Sequence, residues 1–192
     1  MNNKKTNWKW GNNTMAKNVV IKKRVQAFNI DALNRAAIAT EDLENGCVFA
    51  LNGYSVKEGE GEVWTVEAPA DENAKGLWMA TTPEVVIVRD EMGNEYKGIN
   101  PDPRAFVNYA GKVIDATKLM AGDIIEMTGA NIDGIEGADY LVAAAGDCKL
   151  VASADAKDGL CLRKIGVGEL HIGTAGIYGA PVATYKFEVV NN

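Results

Sequence analysis

Asn45-Gly46-Cys47-Val48-Phe49-Ala50-Leu51-Asn52-Gly53 is a short apolar run held between two Asn-Gly pairs. Asn and Gly tolerate the left-handed backbone of tight turns, and five apolar residues suit a buried strand better than a helix. The same grammar repeats outward from this stretch. Val63-Trp64-Thr65-Val66, Leu77-Trp78-Met79-Ala80 and Val85-Val86-Ile87-Val88 follow it, with a polar loop over Pro69–Asn73. Then come Phe106-Val107, Val113-Ile114, Ile124–Met127, Tyr140-Leu141-Val142, Leu150-Val151 and Leu160-Cys161-Leu162. The closing run, Thr184–Val190, alternates cleanly: Tyr185, Phe187 and Val189 fall on one face and Lys186 and Glu188 on the other. No long stretch has a helical period. Asp31–Leu43 reads either as a short helix begun by Asp31 or as a strand over Ala36–Ala39. The fold class expected is mainly β, a sandwich or barrel of short strands with few or no long helices and an extended N-terminal arm.

The chain has 192 residues, 47% of them hydrophobic, which suits one domain with an arm. Residues 1–24 hold Lys4, Lys5, Lys9, Lys17, Lys22, Lys23 and Arg24 and no acid. The net charge is −6, so this +7 arm leaves −13 on residues 25–192. Residues 1–24 are therefore expected to be a basic extended arm and 25–192 a β-rich body, with any division into two subdomains near 90–104. That stretch carries Gly93-Asn94, Gly98, Pro101 and Pro103 and reads as a long surface connection. A basic arm on an acidic body can clamp an acidic partner or lie on its own body. The acidic body disfavours nucleic acid. No apolar run approaches the roughly 18 residues of a membrane helix, and no signal sequence opens the chain, so a cytoplasmic site of synthesis is expected. Trp10-Gly11, encoded UGG-GGN, puts a G-rich run shortly before Met15, which resembles a ribosome-binding site and makes Met15 a candidate start.

Catalysis would have to draw on few parts. His171 is the sole histidine and sits in an alternating strand-like segment, Glu169-Leu170-His171-Ile172. Ser-His-Asp, Cys-His and zinc schemes all depend on it. Cys47, Cys148 and Cys161 are odd in number and have no Cys-x-x-Cys spacing, so they read as small core residues rather than a disulfide framework. Asp133, Glu136 and Asp139 cluster in a glycine-rich loop but lack the spacing of an EF-hand, and read as a solvated turn. Gly166-Val167-Gly168, Gly173 and Gly176–Gly179 precede a strand instead of a helix, so a turn-rich segment is expected there, not a phosphate loop. No cofactor, no metal and no enzyme activity are expected.

Three segments carry a resemblance. Ala39–Leu51 has an acidic turn, then Asn-Gly, then an apolar strand. Lys118–Met127 has an apolar residue, then Gly122-Asp123, then a strand. Gly173–Gly179 through Thr184–Val190 is a glycine-rich approach to a terminal strand. Together they resemble small tailed-phage head proteins that decorate the capsid exterior. The resemblance implies a β-rich structural virion protein, located on the capsid surface and made in the host cytoplasm. It further implies the major capsid protein as partner, with self-association into a homo-oligomer such as a trimer. The partner-binding residues expected from the sequence are Lys17, Val19, Val20, Ile21, Lys22, Lys23 and Arg24, with Val19–Ile21 as a strand at the interface or at the body's edge. The alternative expectation is a carbohydrate- or surface-binding β module, for which Trp64 and Trp78 would be the aromatic candidates, though both read first as core.

Overall fold

The computed structural model describes residues 16–56, 61–89, 95–99, 102–172 and 181–192, with the backbone alone for 86–89 and 95–99. The expectations placed on Trp8, Trp10, Met15 and Gly173–Gly179 fall outside these residues. The described chain is mainly β: thirteen strands and three single-turn 3-10 segments. The strands are β1 (Val20–Arg24), β2 (Asn34–Ile38), β3 (Val48–Tyr54), β4 (Val63–Glu67), β5 (Trp78–Ala80), β6 (Val85–Arg89) and β7 (Glu95–Ile99). They continue as β8 (Val113–Lys118), β9 (Ile124–Met127), β10 (Tyr140–Ala143), β11 (Leu150–Ser153), β12 (Cys161–His171) and β13 (Pro181–Asn191). Strands β2-β4-β3-β5-β8 close a five-stranded barrel, and β1-β9-β13-β12-β10-β11 form an antiparallel sheet. Strands β6 and β7 pair as a separate hairpin.

Period-two alternation divides the barrel strands between two cores. Phe49, Ala80, Ile114, Ala37 and Ala116 fill the barrel, with Cys47 beside them. A five-stranded barrel is narrow, so one aromatic ring surrounded by alanines suits its interior. The neighbours Val48 and Met79 point out of the barrel and join Leu77, Ile125, Met127, Leu141, Leu162, Phe187 and Val189 in the larger core under the sheet. Phe187, Ile125, Leu141 and Leu162 are fully buried, and each contributes about 1.5–3 kcal/mol by leaving water. The predicted face of the last strand is as expected: Tyr185, Phe187 and Val189 are buried.

Several local expectations change. The segment from Asp31 resolves into both alternatives in succession, a 3-10 turn over Asp31–Leu33 and then β2. Asn45-Gly46 is a turn as expected, with Gly46 at φ +89°. Asn52-Gly53 is not: β3 runs through it, and the register slips between Asn52 and Tyr54. The left-handed backbone of Gly53 serves a bulge there rather than a reversal. Gly166-Val167-Gly168 likewise lies inside β12, a strand of eleven residues, and not in a turn-rich segment. The division expected near residues 90–104 does not separate barrel from sheet. Strand β8 follows that stretch and completes the barrel, so the hairpin is an excursion from the barrel. The passage from barrel to sheet is instead the turn Leu119–Asp123. There Asp123 is buried and accepts hydrogen bonds from the amides of Met120 (2.8 Å) and Gln26 (3.0 Å).

Of the two places expected for the Val19–Ile21 segment, the described residues show the body's edge. Val20–Arg24 is the edge strand of the body's sheet, paired antiparallel with β9. Its approach is tied down by Asn18, whose Oδ1 accepts from Gly129 N (2.8 Å) and Thr128 Oγ1 (3.2 Å). The Asn18 amide donates to Glu44 Oε2 (2.6 Å), and Glu44 Oε1 accepts from Asn131 Nδ2 (2.7 Å). One buried asparagine thus links the first strand to the Asn45-Gly46 turn and to the loop after β9.

Candidate partner-binding surface

The register of β1 sorts the expected interface residues by where they point. Val20 and Lys22 pair with Met127 and Ile125, both core residues, so they face the barrel side of the sheet. Val19 is buried, and Val20 is partly buried with its side chain packed against the core. Ile21 pairs with Glu126 on the opposite face. Lys23, at a bulge, places Nζ 2.9 Å from Glu126 Oε2. Arg24 is exposed at the end of the strand. Lys17 lies apart from these; its amide donates to Arg104 O (2.8 Å) and its side chain lines a groove on the barrel.

Of the expected set, Lys17, Lys22 and Arg24 remain as exposed or half-exposed cations with no ion pair among the described residues, and Lys22 and Arg24 share β1. The fold adds residues that sequence reasoning did not place with them. Lys22 lines a shallow cavity of about 390 Å³ with Asn34, Arg35, Thr117 and Asp115. Its Nζ lies 5.7 Å from the exposed Phe28 ring. Arg35 and Lys118 flank the Trp78 ring at 5.7 and 5.9 Å. Trp78 is half-buried: it packs against the barrel core as expected, and its remaining surface lies under long cationic side chains from β2 and β8. The result is a surface of Lys22, Arg35 and Lys118 with Phe28 and Trp78, next to an unpaired sheet edge, on a protein of net charge −6. Arg35 and Lys118 sit 83 residues apart in the chain, so no local pattern announces them.

The other candidate residues are placed as follows. Glu126 is the buried charge of the sheet. It accepts a short hydrogen bond from Thr184 Oγ1, and Gly168 stands over the pair: a Cβ there would lie 2.8 Å from Glu126 Oε1 and 2.9 Å from Thr184 Oγ1. Burial alone would raise its pKa, but the Thr184 hydroxyl, Lys23 and the charge of Lys186 outweigh that and hold it below the ordinary value. Cys47 and Cys161 are buried and Cys148 is half-buried against the barrel core. Burial pushes the Cys47 thiol up to about 12 and that of Cys148 to about 11, which makes both poor nucleophiles. His171 is exposed at the end of β12, opposite Pro181. Asp133, Glu136 and Asp139 are exposed in the turn-rich loop before β10, and no group of metal-ligating side chains gathers among the described residues. Trp64 is half-buried and packs against the exposed Tyr54, ring centroids 4.4 Å apart and planes tilted by 38°. No described helix is long and apolar enough to cross a membrane.

Against protein-family models, curated proteins and solved structures alike, the chain finds no match.

Proposed function

We propose that the protein is a structural virion component that binds the outside of an assembled phage capsid and stabilises or decorates it. The observation that carries a protein-binding role is the surface of Lys22, Arg35 and Lys118 around Phe28 and Trp78. Cations laid over aromatic rings, beside an open strand edge, suit an acidic protein surface more than a small substrate. The capsid as partner rests on the resemblance of Ala39–Leu51, Lys118–Met127 and the closing segment to phage head proteins. Binding to the assembled shell alone would stabilise it by linkage. The test is co-sedimentation with capsids lacking the protein, at low and high salt. Lys22→Glu with Arg35→Glu should weaken attachment at least tenfold while circular dichroism stays unchanged, and high salt should weaken the native protein likewise. Undiminished binding by the double variant would refute the reading.

A second reading, a carbohydrate- or surface-binding module, is favoured by one observation: the Tyr54–Trp64 pair on the barrel, with Tyr54 55% exposed. A surface pair of aromatic rings suits the apolar faces of sugars. Quenching or shift of tryptophan fluorescence by soluble saccharides, lost in Trp64→Ala, would support it, and a flat titration would remove it.

A further inference from the structure

Two cavities meet on the barrel. One, of about 680 Å³, is lined by four acids, Glu41, Asp42, Glu44 and Asp147, against two cations, Lys17 and Lys149. The other, of about 740 Å³, is apolar, walled by Pro83, Val85, Ala105, Phe106, Val113 and Ile114. Val107 and Tyr109 line both, so the two form one groove with an acidic half and an apolar half. Tyr109, Val113 and Val85 are 62%, 50% and 47% exposed, an unusual concentration of uncovered apolar surface for so small an area. Glu41, Asp42 and Glu44 make no ion pair among the described residues.

The described chain begins at this groove. Lys17 lines its acidic half, and the Lys17 amide donates to the carbonyl of Arg104, immediately before Ala105 and Phe106 of the apolar half. The preceding sequence is Lys4-Lys5-Thr6-Asn7-Trp8-Lys9-Trp10, which has three cations, two large aromatic residues and no acid. From Lys17 back to Trp10 is seven residues, a reach of about 23 Å when extended, ample for a groove of this size. We infer that the groove is a docking site for the Lys4–Trp10 segment of this same chain, tryptophan entering the apolar half and lysine meeting the carboxylates of the acidic half. Burying a tryptophan supplies the larger share of the attraction, and the charges set its orientation. This inference does not rest on the capsid reading: the groove meets the Lys22 cavity only at Pro83, which the argument for the Lys22–Trp78 surface does not use.

The test is zero-length carbodiimide cross-linking of the full chain at low concentration, mapped by mass spectrometry on a mixture of isotopically light and heavy protein. The expected result is preferential linkage of Lys4, Lys5 or Lys9 to Glu41, Asp42 or Glu44 within one chain. The yield should fall at least fivefold in Trp8→Ala/Trp10→Ala and in Val113→Asp. Val113 is half-exposed, so its variant should keep the circular dichroism and melting of the native protein. Links scattered evenly over the body's carboxylates, or a yield indifferent to these substitutions, would overturn the inference. Links found only between light and heavy chains would overturn it as well, by assigning the groove to a second copy.

Discussion

Replacing Glu126 by Gln keeps the shape of a buried carboxylate, only 3% exposed, and removes its ionisation. The carboxylate accepts from Thr184 Oγ1 and faces Lys23 Nζ at 2.9 Å. A hydrogen bond to a charged group contributes about 1.5–3 kcal/mol and a neutral one about 0.5–1.5, so the Gln amide, still able to accept from Thr184, loses about 1 kcal/mol there. The Lys23 side chain is 44% exposed, which limits that ion pair to about 0–1 kcal/mol. The variant should therefore be about 1–2 kcal/mol less stable at pH 7. For a chain of this length that is a fall in Tm of about 2–8 °C. The pH dependence follows from the depressed pKa. The folded protein holds Glu126 ionised below its ordinary value of 4.5, so the stabilisation is complete above that value. It is lost as pH falls through the lower folded pKa. Urea melts of native protein and Glu126→Gln from pH 7 to pH 3 should thus converge in acid. A gap that persists undiminished at pH 3, or no gap at pH 7, would refute this account of the site. Thr184→Val supplies the matching arm of a double-mutant cycle, and the two substitutions should be less than additive.

Three further outcomes follow from the packing. Phe187→Ala empties the centre of the larger core and should destabilise by about 3–5 kcal/mol in urea; less than about 1 kcal/mol would mean that the sheet does not pack as described. Gly46→Ala puts a side chain on a left-handed backbone at φ +89° with its Cβ 2.9 Å from Asn18 Nδ2, and should destabilise by about 2 kcal/mol or more, whereas Gly76→Ala, left-handed at +69° but in open space, should be milder. The Cys47 and Cys148 thiols are raised to about 12 and 11, and the buried Cys47 should resist a thiol reagent at pH 8 until the protein unfolds. The unfolded chain gives up those protons near pH 8.5 while the folded protein keeps them, so stability should decline as pH rises from about 8.5 to 11. Rapid labelling of Cys47 in the native protein at pH 8 would contradict its burial.

The sequence by itself determined the strand-dominated composition and the positions of most strands, because alternation and Asn-Gly chemistry act over a few neighbouring residues. The face of Tyr185, Phe187 and Val189 and the turn at Gly46 were legible for that reason. It could not distinguish Gly46 from Gly53, since a left-handed glycine serves a turn or a bulge equally well and the partner strand decides which. Nor could it explain Gly168, whose missing side chain matters only because β9 and β13 bring Glu126 and Thr184 against it. Lys22 was legible as a candidate from its charge. Its neighbours Arg35, Trp78 and Lys118 were not, since they meet through closure of the barrel. The same holds for β1: its apolar-basic pattern fits a free arm as well as an edge strand. The choice is made by Met127, Ile125 and the Asn18 hydrogen bonds, partners more than a hundred residues away in the chain. Local chemistry writes the elements, and burial summed over distant partners decides their register, which is where the surfaces of this protein arise.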